Sequence, residues 1–224
     1  MCGRATLSTP TDELRDVFGL DDVPDLPPRF NIAPTQPIAV IRVPRRLELL
    51  RWGLGVPGVH RHGALGINVR VESVARAPAY RESFRKRRCL VIVDGFFEWQ
   101  RRDKAKQPFF VRREDGKPFA LAGIWDPAAT TEDELLDSCA VITGDAKGVV
   151  ADLHNRMPLI VPVTGYSRWL NPAERDLTDL LVPNELGLET YPVSTFVNSP
   201  ANDDLRCIEP IAEGAELQGT LSLF

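Results

Sequence analysis

Cys89-Leu90-Val91-Ile92-Val93-Asp94-Gly95-Phe96-Phe97-Glu98-Trp99 is the stretch on which the reading of this chain turns. Cys89 to Val93 is a short, unbroken apolar run rich in β-branched residues, which predicts a strand covered on both faces. Asp94-Gly95 supplies a turn. Beyond it, Glu98 stands between aromatic residues. A carboxylate in apolar surroundings has a raised pKa and can exchange protons near neutrality. The competing reading is that Glu98 pairs with one of the many arginines.

Further β-rich runs follow at Phe109 to Arg112, Phe119 to Trp125, Cys139 to Thr143, Leu159 to Val163 and Tyr191 to Val197. Upstream, Pro37 to Ile41 and Leu47 to Trp52 predict a hairpin turning at Pro44-Arg45-Arg46. Leu14, Val17 and Phe18 recur at helical spacing, with Thr9 to Glu13 as a start and Gly19 as a stop. Helices are also predicted over Arg76 to Phe84, Asp145 to Leu153, Tyr166 to Leu170 and Ala173 to Leu181. Asp21 to Pro28 and Gly53 to Gly66 read as loops. Strands at short intervals, only some separated by helices, predict one α+β domain spanning 1–224 with a largely antiparallel core. Neither a GxGxxG after a strand nor a GxxxxGK[ST] is present, which argues against dinucleotide and P-loop folds.

The 224 residues suffice to bury a core without staples. No apolar run approaches the ~20 residues of a membrane span, and the start lacks the pattern of a signal peptide. Cys2, Cys89, Cys139 and Cys207 show no metal or disulfide spacing and read as reduced thiols of a cytoplasmic protein. His60 and His62 stand in the Gly-rich loop without a nearby cysteine, so no metal site and no cofactor is expected there or elsewhere. The net charge of −4 conceals a division. Arg42 to Arg113 carries 18 Lys and Arg against 6 Asp and Glu, and the remainder carries 9 against 25. Such asymmetry points to a polyanion-binding face, unless folding intermixes the charges.

The chain begins Met1-Cys2-Gly3-Arg4. Aminopeptidases generally remove Met1 when a small residue follows, which would leave Cys2 with a free amine beside its thiol. That amine (pKa ~8) condenses with an aldehyde to a Schiff base, and the thiol can close on the imine to a thiazolidine. The amine could instead serve as base for a thiol nucleophile, or Cys2 could lie in a frayed terminus. Two more segments break local pattern. His154 stands where a predicted helix gives way to a strand, as a structural residue or as an acid, base or oxyanion donor. In Asn68-Val69-Arg70-Val71-Glu72-Ser73, a strand would put Asn68, Arg70 and Glu72 on one polar face, where Arg70 could hold a phosphate or merely meet water.

Together these segments resemble the SRAP family, the SOS response-associated peptidase or abasic-site-processing proteins. The resemblance is carried by Met1 to Arg4, Arg29-Phe30-Asn31-Ile32-Ala33-Pro34-Thr35, Arg51 to Leu54, Asn68 to Ser73, Gly95 to Trp99, Ala122 to Trp125, His154-Asn155-Arg156-Met157-Pro158 and Val197-Asn198. They occur in family order over essentially the whole chain. The departures are mild: Asn-Val-Arg-Val-Glu-Ser replaces the usual Asn-Ala-Arg-Ala-Glu-Thr, and Phe97 replaces a tyrosine. The resemblance implies a barrel-like β core with peripheral helices, and covalent capture of abasic sites in single-stranded DNA. It implies catalytic roles for Cys2, Asn68, Glu98 and His154. Arg4, Arg70 and Arg156 would meet phosphates, Asn31, Pro34 and Thr143 would line the groove, and Trp52 and Trp99 would stack on bases or wedge against an adjoining duplex. A monomer, nucleoid-associated when on DNA, is expected. The alternative is a cysteine peptidase, or an autopeptidase that removes its own Met1. A DNA-binding module without catalysis would leave the Cys2, Asn68, Glu98 and His154 set without a role.

Overall fold

The computed structural model describes residues 2–55, 66–102, 105–127, 137–184 and 187–212. His60, His62 and Met1 lie outside them. Among the described residues, thirteen strands form two sheets in one α+β domain. The strand predicted from Cys89 to Val93 is β6 (Arg88–Val93), buried along its full length. It pairs antiparallel with β3 (Pro37–Arg42) on one side and β9 (Phe119–Asp126) on the other. β9 also pairs with β10 (Ser138–Asp145), and β10 runs parallel to β4 (Arg46–Trp52), the partner of β3 in the predicted hairpin. The order β3-β6-β9-β10-β4 therefore closes on itself in a ring. Closure pairs the backbone edges of these five strands, and β6 and β9 at its centre are buried on both faces whereas β4 mixes buried and exposed residues.

β6 is covered outside the ring by α3 (Arg81–Lys86) and α5 (Tyr166–Leu170). Trp169 donates its indole N–H to Cys89 O at 2.8 Å. The buried Arg88 guanidinium donates to Phe84 O and Arg85 O of α3 and to Trp169 O of α5. It thereby satisfies carbonyls that helix ends leave without partners.

The smaller sheet has the order β13-β8-β7-β1-β2, from β1 (Ala5–Leu7), β2 (Arg29–Ile32), β7 (Gly95–Arg102), β8 (Ala105–Arg113) and β13 (Leu188–Pro192). The chain crosses from the ring into this sheet at Asp94-Gly95. A Cβ at Gly95 would stand 2.2 Å from Phe110 Cζ, so only glycine fits there. Asp94 accepts hydrogen bonds from Thr6 Oγ1, Ser8 N and Oγ, and Thr9 N and Oγ1, which ties the N-terminal strand to the crossing point.

α1 (Thr11–Phe18) ends at Gly19 in the left-handed conformation (φ 59°), as its spacing predicts. Other predicted elements shorten, each for a local reason. Arg76 to Phe84 is helical only from Arg81, because Pro78 lacks an N–H and disfavours helical geometry at Ala77. Asn68 to Ser73 is not one strand: β5 is Asn68–Arg70, and Val71–Val74 turns into the short helix α2. Asp145 to Leu153 contains only α4 (Gly148–Ala151), since Thr143 to Asp145 extend β10 to pair with β11 (Arg156–Pro158). The strand predicted over Tyr191 to Val197 lies earlier, at β13, where it pairs with β8. Thr195–Asn198 is a 3-10 turn capped by Ser194, whose side chain accepts from Phe196 N. Ala173 to Leu181 keeps only a 3-10 turn at Thr178–Leu181. Leu159 to Val163 retains the two-residue strand Ile160–Val161 against β9.

Candidate functional site

The N-terminal segment is an extension of β1. Ala5 pairs with Phe96 and Thr6 with Gly95, while Phe97 N donates to Arg4 O at 3.0 Å. Continuing that antiparallel register backwards sets Cys2 and Gly3 alongside Glu98 and Trp99. Cys2 is fully buried. Burial first, and then the negative charge of Glu98, push its thiol far above the usual range. The thiol is therefore protonated, and its Sγ lies 3.9 Å from Arg4 O.

Glu98 is also buried, and desolvation raises its carboxyl to about 7. Burial does to this carboxyl what apolar surroundings do to any carboxylate, while Phe97, one residue before it in the strand, packs into a separate apolar cluster with Phe110 and Val193. Glu98 lines a cleft of about 510 Å³ with Trp99, Arg101, Lys106, Leu153, His154 and Asn155.

Asn68 enters from β5, which runs parallel to the middle of β10. Its Nδ2 donates to Cys2 O at 2.7 Å, and its Oδ1 is buried with no hydrogen-bond partner among the described residues. His154 follows α4, with its N–H bonded to Val150 O at 3.0 Å. Its Nδ1 accepts from Arg156 N at 2.9 Å, so a neutral ring carries its proton on Nε2. Desolvation lowers the His154 pKa, which favours that neutral form. The structure thus brings together a buried aminoacyl thiol, a carboxyl poised near neutrality, an amide clamp and a neutral N–H donor.

The residues expected to face DNA divide. Trp99 is half-buried at the cleft, with its indole N–H on Asn198 Oδ1 at 2.8 Å. Arg70 is exposed and Pro34 is half-exposed. Trp52, by contrast, is fully buried and donates to Ile67 O at 3.0 Å, so it presents no face to a base. It braces the residue before Asn68. Asn31 is likewise fully buried. Its Oδ1 accepts from Arg4 at 2.7 Å, and its Nδ2 donates to Val197 O, Ser199 O and Asn202 O. Asn31 therefore joins β2 to the 195–202 segment instead of lining a groove. Thr143 is buried in β10.

Arg4 and Arg156 are committed to protein partners. Arg4 donates to Asn31, Val197 O and Asn198 O. Arg156 holds Glu72 through both terminal nitrogens, at 2.5 and 3.0 Å, and also bonds Asp145 and Thr143 O. The Arg156–Glu72 pair joins the α2 end of the Asn68 segment to the strand that follows His154. Motif reading assigned Glu72 no partner and did not single out Asp94 or the cleft residues Arg101 and Lys106. The signal for the last two was present: they lie in the basic segment, beside the Glu98 motif. No group of His, Cys, Asp or Glu with metal-site geometry occurs among the described residues. None of the described helices is long and apolar enough to cross a membrane.

The family model for SOS response associated peptidase (SRAP) matches residues 1–200. The chain belongs to the SRAP family. One SRAP relative is the abasic site processing protein YoqW of Bacillus subtilis, 36% identical over 224 residues that cover 93% of this chain and 99% of that protein. Another is the abasic site processing protein HMCES of Gallus gallus, 34% identical over 212 residues, covering 80% of this chain and 62% of that protein. A solved structure of a Bacteroides thetaiotaomicron protein superposes with a TM-score of 0.81 at 22% identity, over 94% of this chain and all of the other. That likeness shows that the two chains share a fold.

Proposed function

We propose that this SRAP protein processes abasic sites in single-stranded DNA by covalent capture on Cys2. The observation that carries the reading is the convergence of Asn68, Glu98 and the Cys2 backbone at one end of β7. Folding pairs several cations of the basic segment with carboxylates, so it is the names of the relatives and the two exposed cations of the cleft, Arg101 and Lys106, that support the same substrate.

The chemistry starts once Met1 is removed and the amine belongs to Cys2. An abasic deoxyribose exchanges between a closed hemiacetal and an open aldehyde. Glu98, titrating near neutrality, relays protons in ring opening, and the His154 Nε2–H donates to the released sugar oxygen. The Cys2 amine adds to C1′, water leaves, and a Schiff base results. The thiol then adds across the C=N bond, sulfur to carbon and proton to nitrogen, which closes a thiazolidine. Closure removes the electron sink that would otherwise promote β-elimination, so the strand stays intact. Asn68 holds the Cys2 carbonyl throughout, keeping amine and thiol oriented together. Trp99 offers a stacking surface and Arg70 an exposed charge for the strand.

A peptidase reading has less support. A cysteine peptidase needs a thiolate at neutral pH, whereas burial here pushes the thiol the other way. The test is to mix Met1-processed protein with an oligonucleotide bearing an abasic site and look for a heat-stable, gel-shifted adduct. Wild type should give one, and Cys2→Ala and a chain that retains Met1 should not. A full adduct from Cys2→Ala would overturn the proposal.

A further inference from the structure

We propose that Arg101 and Lys106, directly opposed near the end of the β7–β8 hairpin, form a phosphate-binding lip for the DNA backbone beside the lesion. The inference rests on the abasic-DNA reading above and adds to it where the flanking strand runs.

The first observation is register. Arg101 pairs with Lys106 across the hairpin, so two cations stand opposite each other on one face. Like charges so placed destabilise an antiparallel pair. Both side chains are exposed, and neither makes an ion pair among the described residues. A hairpin under selection for its own stability would put an acid at one of the two positions. The opposed cations instead fit an external anion.

The second observation is position. The N-terminal chain accompanies β7 no further than Cys2 beside Trp99, and the chain after β13 accompanies β8 only as far as Pro108, whose carbonyl accepts from Val193 N. The far half of the hairpin therefore projects beyond both neighbouring strands. Edge protection is one use for charge on a projecting strand, but these two side chains are not turned to an empty edge. They line the same cleft as Glu98 and His154. Arg101 lies three residues along β7 from Glu98, about 10 Å at the rise of a strand. That separation, with both side chains in the same cleft, suits a phosphate farther along the flanking strand and not one bonded to the reacting sugar.

The third observation is that the lip is fixed. Gln100 Nε2 donates to Asp152 O at 3.1 Å, which ties the hairpin to the segment that carries His154. A phosphate held by Arg101 and Lys106 would thus be held at a set distance from the acid and donor of the site. Arg supplies a forked donor and Lys a point charge, and neither contact depends on base identity, as capture of a baseless site requires.

The experiment compares wild type with Arg101→Gln/Lys106→Gln by fluorescence anisotropy on an undamaged single-stranded oligonucleotide across a salt series, and by adduct formation on its abasic counterpart. Each lost phosphate contact should lower the slope of log K against log[salt] by about 0.7, so the double variant should lose about 1.4. Affinity should fall roughly tenfold at low salt, as loss of contacts of this kind implies. Adduct formation should slow at limiting DNA and recover at saturating DNA, because the reacting groups are untouched. Arg101→Lys/Lys106→Arg should restore both slope and rate, and Lys106→Gln alone should lower the slope by about 0.7, half the loss of the double variant. An unchanged slope and affinity in the double variant would overturn the lip, whatever the adduct assay shows. Absence of any wild-type adduct, with the slope change still present, would instead overturn the capture chemistry and leave the lip standing.

Discussion

The side-chain amide of Asn68 holds the backbone carbonyl of Cys2 at 2.7 Å, across 66 residues of sequence. A residue so near a chain terminus would ordinarily fray. Here it is fixed from one side by Asn68 and from the other by the β1–β7 pairing. Asn68→Ala should cost about 1–1.5 kcal/mol of stability, the value of one lost hydrogen bond, and slow single-turnover adduct formation by about tenfold through the loosened Cys2. A wild-type rate in Asn68→Ala would remove the amide clamp from the mechanism.

Glu98 should reveal itself twice as pH is varied. Its folded pKa, about 7, lies above the ordinary 4.5, so the folded state binds this proton more tightly than the unfolded chain does. The stability it contributes is present in full below about pH 4.5 and is lost as pH rises through 7. Wild type should therefore melt lower at pH 8 than at pH 5, by an amount worth about 2 kcal/mol, or about 5 °C at this chain length. Glu98→Gln should flatten most of that difference and abolish the inflection near pH 7 in adduct rate. A Glu98→Gln protein with the wild-type pH profile in both measurements would rule out the assignment.

The two tryptophans of the basic segment should respond in opposite ways. Trp52→Phe removes a buried indole and its bond to Ile67 O. It should cost roughly 1–2 kcal/mol in denaturant unfolding and leave single-strand affinity of the folded protein alone. Trp99→Ala should barely change stability and weaken binding by about 1–3 kcal/mol, the range for a lost base stack. The reverse pattern would mean that the face of the molecule assigned to DNA is wrong.

Arg156→Lys tests whether this guanidinium serves the protein or the DNA. Lysine cannot reproduce the two-pronged hold on Glu72. Because Glu72 is half-exposed and Asp145 largely so, solvent screening limits the loss to about 1 kcal/mol. The salt dependence of DNA binding should stay as in wild type, since the charge is already neutralised by two carboxylates. A shallower salt slope would show that DNA displaces Glu72.

Asp94→Asn should loosen the N-terminal strand without touching the cleft. The amide loses the charge that serves the Ser8 and Thr9 donors, at a cost of about 1–3 kcal/mol. Amide exchange at residues 5 to 9 should accelerate more than exchange in β6. Equal acceleration in both would indicate that Asp94 stabilises the whole domain and not this strand in particular.

Much of this architecture was legible where one local signal dominates. The apolar run of β6, the glycine stop of α1 and the Pro44 hairpin are each set by neighbours in sequence, so pattern and structure agree. The shortened helices fail where a nearby competitor wins: Pro78 holds off the helix that starts at Arg81, and Asp145 pairs with Arg156 of β11 instead of opening a helix. At the site, Glu98 declares itself by its aromatic flanks. The burial of Trp52 and Asn31 does not, because an exposed and a buried tryptophan carry the same letter and only ring closure decides between them. Arg4 and Arg156 look like phosphate ligands until their carboxylate and carbonyl partners, up to 194 residues away, are brought alongside.

The sealed thiol of Cys2 also bears on how long the protein remains competent. Oxidants attack the thiolate, and susceptibility follows exposure. A thiol that is wholly covered and held protonated escapes both routes of damage, even in a cell under the oxidative conditions that break glycosidic bonds in DNA. The same burial that holds the Cys2 thiol protonated therefore also preserves it from oxidation while the domain stays folded.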